Sequence, residues 1–178
     1  MSSIQGLINK NNIIEANAYL SDFSTLLRSA LKNTDKELIP LSVEIQIIET
    51  YIKLEQLRFP FQYQLTLAND INADTIEIPP LLMQPIIENA IKHGVSSMNE
   101  KGNVQIGFSS KDSDLIIRIC DNGNGFNNAI QQDGVGLKLT KERIHLWNQN
   151  FREQPILLTI DSAVNTGTII ILILKNWL

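Results

Sequence analysis

The chain has 178 residues, 43% of them hydrophobic and 19% charged, with a net charge of −4 at pH 7. That is enough for one domain with an appendage and a real core, and the acidic balance excludes the basic field that nucleic acid demands of a main partner. A single cysteine, Cys120, and two histidines, His93 and His145, exclude an internal disulfide, a cysteine-based zinc site and a histidine-rich metal centre.

No apolar run approaches the roughly 18 to 20 residues that a membrane span needs, and MSSIQGLINK lacks the charged start and apolar centre of a signal peptide. A soluble piece in a reducing, cytoplasmic setting is expected, without direct membrane contact. From Ile4 to Leu31 apolar residues recur three and four apart (Ile4, Leu7, Ile8, then Tyr19, Leu20, Phe23, Leu26, Leu27, Leu31), which predicts helices interrupted at NKNNIIEAN. KNTDKELIP is a break ending at Pro40. LSVEIQIIETYIKLEQLRF then places Val43, Ile47, Ile48, Tyr51, Ile52, Leu54 and Leu57 on one broad stripe, behind an imperfect cap at Ser42. Helices with such stripes tend to pack in bundles, often between chains.

After Pro60 the period becomes two. FQYQLTLAND alternates Phe61, Tyr63, Leu65 and Leu67 against Gln62, Gln64 and Thr66, a half-buried strand, and TIEIPP is a shorter one. PPLLMQPIIENAIKHGV returns to helix, with prolines at its start and Gly94 at its expected C-terminus. Strands NVQIGFSS and DLIIRIC, the helix LKLTKERIHLWNQNF, and strands ILLTIDSA and TIIILILKNWL complete the chain. The fold class expected is α+β: a two-layer sandwich with helices on one face of a mixed sheet, preceded by a helical segment. The boundary falls near Phe59 and Pro60, giving residues 1–59 and 60–178.

Glycine-rich turns beside helices often hold phosphates, but the familiar phosphate signatures fail. GxxxxGK[ST] does not occur, GNGFNN and GVGLKL lack the third glycine of a dinucleotide loop, and a calcium loop begun at Asp121 would place Gly123 and Gly125 where oxygen ligands belong. What remains is a spaced set: ENAIKHG on a helix, DNGNGF after a strand, GVGL opening a helix, and NTGT between two strands. Singly, each has a bland reading as a polar helix position, a hairpin turn or a loop glycine. In this order, on alternating helix and strand, they point to one ligand loop system.

The set resembles the ATP-binding fold shared by gyrase, the Hsp90 chaperones, histidine kinases and mismatch-repair ATPases. More closely, IPPLLMQPIIENAIKHG, DNGNGF, GVGLKLTKERI and NTGT are similar to the nucleotide boxes of sensor histidine kinases of the autolysin-regulator type. The resemblance implies ATP and Mg2+ as ligands, transfer of the γ-phosphoryl to a histidine and thence to a response regulator in a two-component phosphorelay, and a homodimer in the full-length protein. It implies Asn89 as the metal ligand, with Glu88 beside it in a supporting role near magnesium or in a structural salt bridge. Lys92 and His93 would reach phosphate oxygens, and Asp121 would accept a hydrogen bond from the adenine amino group. Gly123 and Gly125 would let the backbone pass beneath the base. Gly134, Gly136 and Leu137 would face the phosphates, and Gly167 and Thr168 would back Asp121. Residues 127–134 would form a lid.

The chain also departs from the pattern. Pro85 stands where hydrolysing relatives carry a glutamate base, so efficient ATP hydrolysis is not expected. Leu139 replaces an asparagine usual after GxGL. Neither His93 nor His145 lies in an acceptor context, so residues 1–59 read as a partial dimerisation region lacking the phospho-accepting histidine. This cytoplasmic piece of a membrane-anchored sensor would then bind ATP without autophosphorylating. The rival readings are an anti-sigma serine kinase and a non-catalytic nucleotide-binding dimerisation module.

Overall fold

The computed structural model describes residues 36–126 and 135–178, together with positions 13, 14, 17, 18, 20, 21, 24 and 28, all eight of them helical. The rest of the helices expected over 4–31, the expected lid and Gly134 lie outside the described residues. Five strands form the main sheet: β2 (Gln62–Leu67), β4 (Asn103–Lys111), β5 (Asp114–Asp121), β6 (Ile156–Ala163) and β7 (Gly167–Leu174), in the order β2-β4-β5-β7-β6. β2 runs parallel to β4 and every other neighbour pair is antiparallel, so the sheet is mixed, as expected.

Period-two patterning decides which face is covered. Val104, Ile106 and Phe108 of β4, Leu115, Ile117 and Ile119 of β5, and Ile170, Leu172 and Leu174 of β7 are buried, while Gln105, Ser109 and Arg118 between them are exposed. Three helices cover the buried face: α1 (Leu41–Gln56), α2 (Gln84–Asn89) and α3 (Val135–Asn150). They contribute Ile47, Ile48 and Ile52, then Ile86 and Ile87, then Ile144 and Trp147 to the same core. Each fully buried isoleucine is worth about 1.5–3 kcal/mol in apolar transfer. The α1 stripe thus packs inside this chain.

Three local details differ from the sequence reading. Ser42 does not cap α1. Instead the Leu41 and Ser42 N–H groups donate to the carbonyls of Ile76 and Ala73 at 2.8 and 2.9 Å, which answers the helix's open donors with backbone. The short strand in TIEIPP, β3 (Glu77–Ile78), joins no main sheet; it pairs with β1 (Ile39–Pro40) just ahead of α1. Gly94 does not end its helix, because α2 runs on into a wider π-helical turn over Ala90–Val95 that contains it.

Candidate functional site

β5 delivers Asp121 to the end of the sheet, flanked by Val104 on β4 and Thr168 on β7. Its side chain is buried, and Oδ1 accepts the Gly123 N–H at 2.9 Å, a turn that folds the chain back over its own carboxylate. Burial pushes the Asp121 carboxyl above its ordinary 3.8, while the N–H groups of Gly123 and Thr168 and the Thr168 hydroxyl pull it back. Desolvation is the largest of these influences. The result is a fixed, mostly dry acceptor.

Glycine backbone walls this carboxylate. A β-carbon on Gly94 would stand 2.7 Å from Asp121 Oδ1, and one on Gly123 would stand 2.4 Å from the Gly94 backbone. The π turn therefore presses bare backbone against both the carboxylate and the loop that follows it. That loop is latched to the β6–β7 hairpin: Phe126 N–H donates to Ser162 Oγ at 2.9 Å, and Asn165 N–H to the Asn124 carbonyl at 2.6 Å. Ser162 Oγ in turn donates to the Gly167 carbonyl at 3.2 Å and shares a 3.0 Å hydrogen bond with the Thr168 hydroxyl. Gly125 and Gly167 take φ of +56° and +82°, and a β-carbon on Gly167 would lie 2.0 Å from the Asp121 carbonyl oxygen. Only glycine fits these approaches. DNGNGF is thus a loop held against the neighbouring hairpin.

The other half of the site is set by α2 and α3. A β-carbon on Gly136, in the first turn of α3, would lie 3.5 Å from Pro85 Cβ and 3.9 Å from Asn89 Oδ1, so the Asn89 amide oxygen faces the start of α3. Among the described residues the Asn89 side chain has no hydrogen-bond partner. Thr140, buried, donates its hydroxyl to the Gly136 carbonyl at 3.1 Å. Leu137 is buried and Leu139 exposed, so Leu137 offers backbone rather than side chain to any ligand. Glu88 forms an ion pair with Lys92 one turn on, and Lys92 and His93 are exposed.

Asp121, Gly123, Gly125, Gly167 and Thr168 thus gather at one end of the strands and Asn89 faces Gly136, the two groups joined by the single helical run from Gln84 to Val95, while exposed Lys92 and His93 are brought against neither. Sequence reasoning missed Gly94 and Ser162 as parts of the site. Gly94 had a signal, the closing glycine of ENAIKHG; Ser162, in the ordinary strand ILLTIDSA, had none. No cluster of His, Cys, Asp or Glu that could hold a metal occurs among the described residues. Asn89 supplies one neutral oxygen, which fits an ion that keeps several waters and takes its charge from phosphates, as magnesium does.

The family model of histidine kinase-, DNA gyrase B- and HSP90-like ATPases matches residues 79–177, and that of histidine kinases matches residues 1–63. Similar curated proteins include the sensor protein LytS of Oceanobacillus iheyensis, 36% identical over 112 residues that cover 63% of this chain and 19% of that protein. The sensor protein LytS of Bacillus subtilis is 33% identical over 65% of this chain and 20% of its own length. The sensor histidine kinase BtsS of Escherichia coli is 28% identical over 81% of this chain and 25% of its own length. The chain thus spans about a fifth to a quarter of the length of these relatives. Among solved structures, the histidine kinase domain from the Erythrobacter litoralis EL346 blue-light activated histidine kinase superposes with a TM-score of 0.63 at 18% identity, over 97% of this chain and 85% of that one. At such identity the likeness shows a shared fold.

Proposed function

This chain belongs to the family of histidine kinase-, DNA gyrase B- and HSP90-like ATPases, and from that premise we propose that it is the nucleotide-binding catalytic part of a LytS-type sensor histidine kinase. In this reading residues 60–178 bind ATP. Residues 1–59 belong to the dimerisation region, upstream of which lies the histidine that receives the γ-phosphoryl before a response regulator takes it. The parent sensor works as a homodimer with this part in the cytoplasm; no helix among the described residues is long and apolar enough to cross a membrane.

The observation that carries the reading is the buried Asp121 carboxylate pressed against the Gly94 and Gly123 backbone. A carboxylate costs free energy to bury, and one walled by glycine is shaped for a flat group carrying an N–H donor. Asp121 accepts the adenine amino group, with the Thr168 hydroxyl beside it. Gly125 and Gly167 keep side chains out of the base's path. The first turn of α3, at Gly136, turns backbone N–H groups toward the phosphates, and the positive end of the helix favours their charge. Asn89 would hold a magnesium ion, which when bound neutralises phosphate charge and orients the γ-phosphoryl for transfer. Pro85 carries no base, so water is not activated and the phosphoryl is kept for the acceptor histidine.

Calorimetric titration of MgATP and MgADP into the protein tests this. Asp121→Asn should weaken both nucleotides, and Asn89→Ala should weaken them mainly when magnesium is present. Absence of heat, together with failure to compete with a fluorescent nucleotide, would overturn the nucleotide-binding reading.

A further inference from the structure

Glu44 of α1 is fully buried, and its carboxylate reaches out of its own helix to a turn 37 residues away in sequence. Oε2 accepts the Leu81 N–H at 3.0 Å and Oε1 accepts the Met83 N–H at 3.2 Å. Leu81 holds a φ of +56°, a left-handed conformation that a leucine adopts only when its surroundings impose it. From the opposite side Arg143 of α3 donates through Nη1 to the Pro80 and Leu81 carbonyls at 2.9 and 3.2 Å. The turn 80–83 is thus gripped between a carboxylate on α1 and a guanidinium on α3.

The turn leads directly into the site. Met83 is the N-cap residue of α2, and its carbonyl accepts the N–H groups of both Ile86 and Ile87 at 3.0 Å. Asn89 lies on the last turn of that six-residue helix, about 9 Å along the axis from Met83 at 1.5 Å per residue. Arg143 stands two helical turns from Gly136, the residue that faces Asn89 Oδ1, so α3 touches the turn from its middle and the asparagine from its first turn. The chemistry of Glu44 suits this task. Two N–H donors converge on it, and a carboxylate is the side chain that offers two acceptor oxygens and no donor; a glutamine would turn its NH2 against one of the two N–H groups.

We propose that Glu44 is a positioning residue for Asn89: with Arg143 it fixes the 80–83 turn, and through α2 it sets where the asparagine oxygen stands against the start of α3. The assignment of Asn89 to the metal rests on the reading above; the placement of Asn89 by Glu44 does not. Burial raises the Glu44 carboxyl above its ordinary 4.5, and the N–H groups of Leu81 and Met83, then Arg143 and the Leu82 N–H, pull it back.

The test compares Glu44→Gln with Ile170→Val, a core change matched to it in stability but remote from the joint. In nucleotide-free protein, Glu44→Gln should raise the exchange rates of the Leu81 and Met83 amides at least tenfold and shift the Asn89 and Gly136 amide resonances, which Ile170→Val leaves in place. With ligand, Glu44→Gln should lose about tenfold in the ATP affinity that depends on magnesium and leave magnesium-free binding close to unchanged, a split that general destabilisation would not give. Unmoved Asn89 and Gly136 resonances in Glu44→Gln would overturn the proposal. If the unmutated protein binds no nucleotide while those resonances still move, the nucleotide reading fails and the placement of Asn89 by Glu44 is upheld. Should Glu44→Gln fail to fold, Arg143→Lys reads the same joint from the α3 side, with the same resonances deciding.

Discussion

Gly94 lies over the Asp121 carboxylate so closely that a β-carbon on it would stand 2.7 Å from Oδ1 and 2.9 Å from Cγ. A contact below 3.0 Å cannot be absorbed without movement, and here the π turn on one side and the strand end on the other both resist it. Gly94→Ala should therefore displace the carboxylate, lowering stability by about 1–3 kcal/mol. It should also weaken ATP at least tenfold, about 1.4 kcal/mol, measured by titration well below the melting temperature. Retained affinity would mean that the carboxylate does not contact the nucleotide.

Glycines in this chain separate by what surrounds them. Gly167, at φ +82° and with the Asp121 carbonyl 2.0 Å from a built β-carbon, has neither the conformation nor the room for a side chain. Gly167→Ala should cost about 2 kcal/mol or more in urea unfolding. Gly107, on the exposed face of β4, meets only Thr66 Oγ1, at 3.5 Å. There Ala removes glycine's entropic penalty, and Gly107→Ala should leave stability unchanged or raise it by about 0.5 kcal/mol. Equal losses at the two positions would contradict the geometry.

The Asp121 carboxyl titrates above its ordinary 3.8 because burial disfavours its charge. The two pH effects then run in opposite directions. In the folded protein a raised acid contributes stability that is full below 3.8 and is lost as pH rises through the folded value. If Asp121 is the adenine acceptor proposed above, nucleotide affinity needs its unprotonated form and should fall as pH falls through that same value. Asp121→Asn should flatten both profiles, which parallel denaturation and binding series at stepped pH would check.

Lys92 and Glu88 are an exposed pair one helical turn apart. Such pairs contribute about 0.3–0.5 kcal/mol, so Lys92→Ala should barely move the melting temperature. A fall in ATP affinity larger than that would place the ammonium on the phosphates. An unchanged affinity would leave Lys92 as a solvated partner of Glu88.

The elements that patterning exposes are those whose burial repeats along the chain. The alternation in NVQIGFSS and DLIIRIC and the stripe of α1 are one-dimensional records of a face, so strands, helix and layer order were legible from them. The motif residues Asn89, Asp121, Gly136 and Thr168 were named by likeness, and the structure sets Asn89 by Gly136 and Asp121 by Thr168. What escaped is what two distant segments make together. Glu44 reads as one polar position on an amphipathic helix, and nothing in its neighbours tells of Leu81 and Met83. The positive φ of Leu81 has no local cause, since its source is the grip of Glu44 and Arg143. The π turn likewise holds Gly94 against Asp121, a contact between residues 27 apart (121 − 94) that no local pattern announces.

The parallel pairing of β2 with β4 has a consequence for how the molecule comes into being. Between those strands the chain must leave the sheet, form α2 across one face and return as β4, so Asn89 is carried on the crossover itself while Asp121 ends β5, the strand after β4. Thr168 follows Asn89 by 79 residues (168 − 89). A ribosome delivers these three in order, and the flank that steadies Asp121 is made last. A nascent chain that has released α2 and β5 still lacks β7, the strand whose Thr168 hydroxyl and backbone flank Asp121. A chain truncated before Thr168 would leave Asp121 without its β7 neighbour.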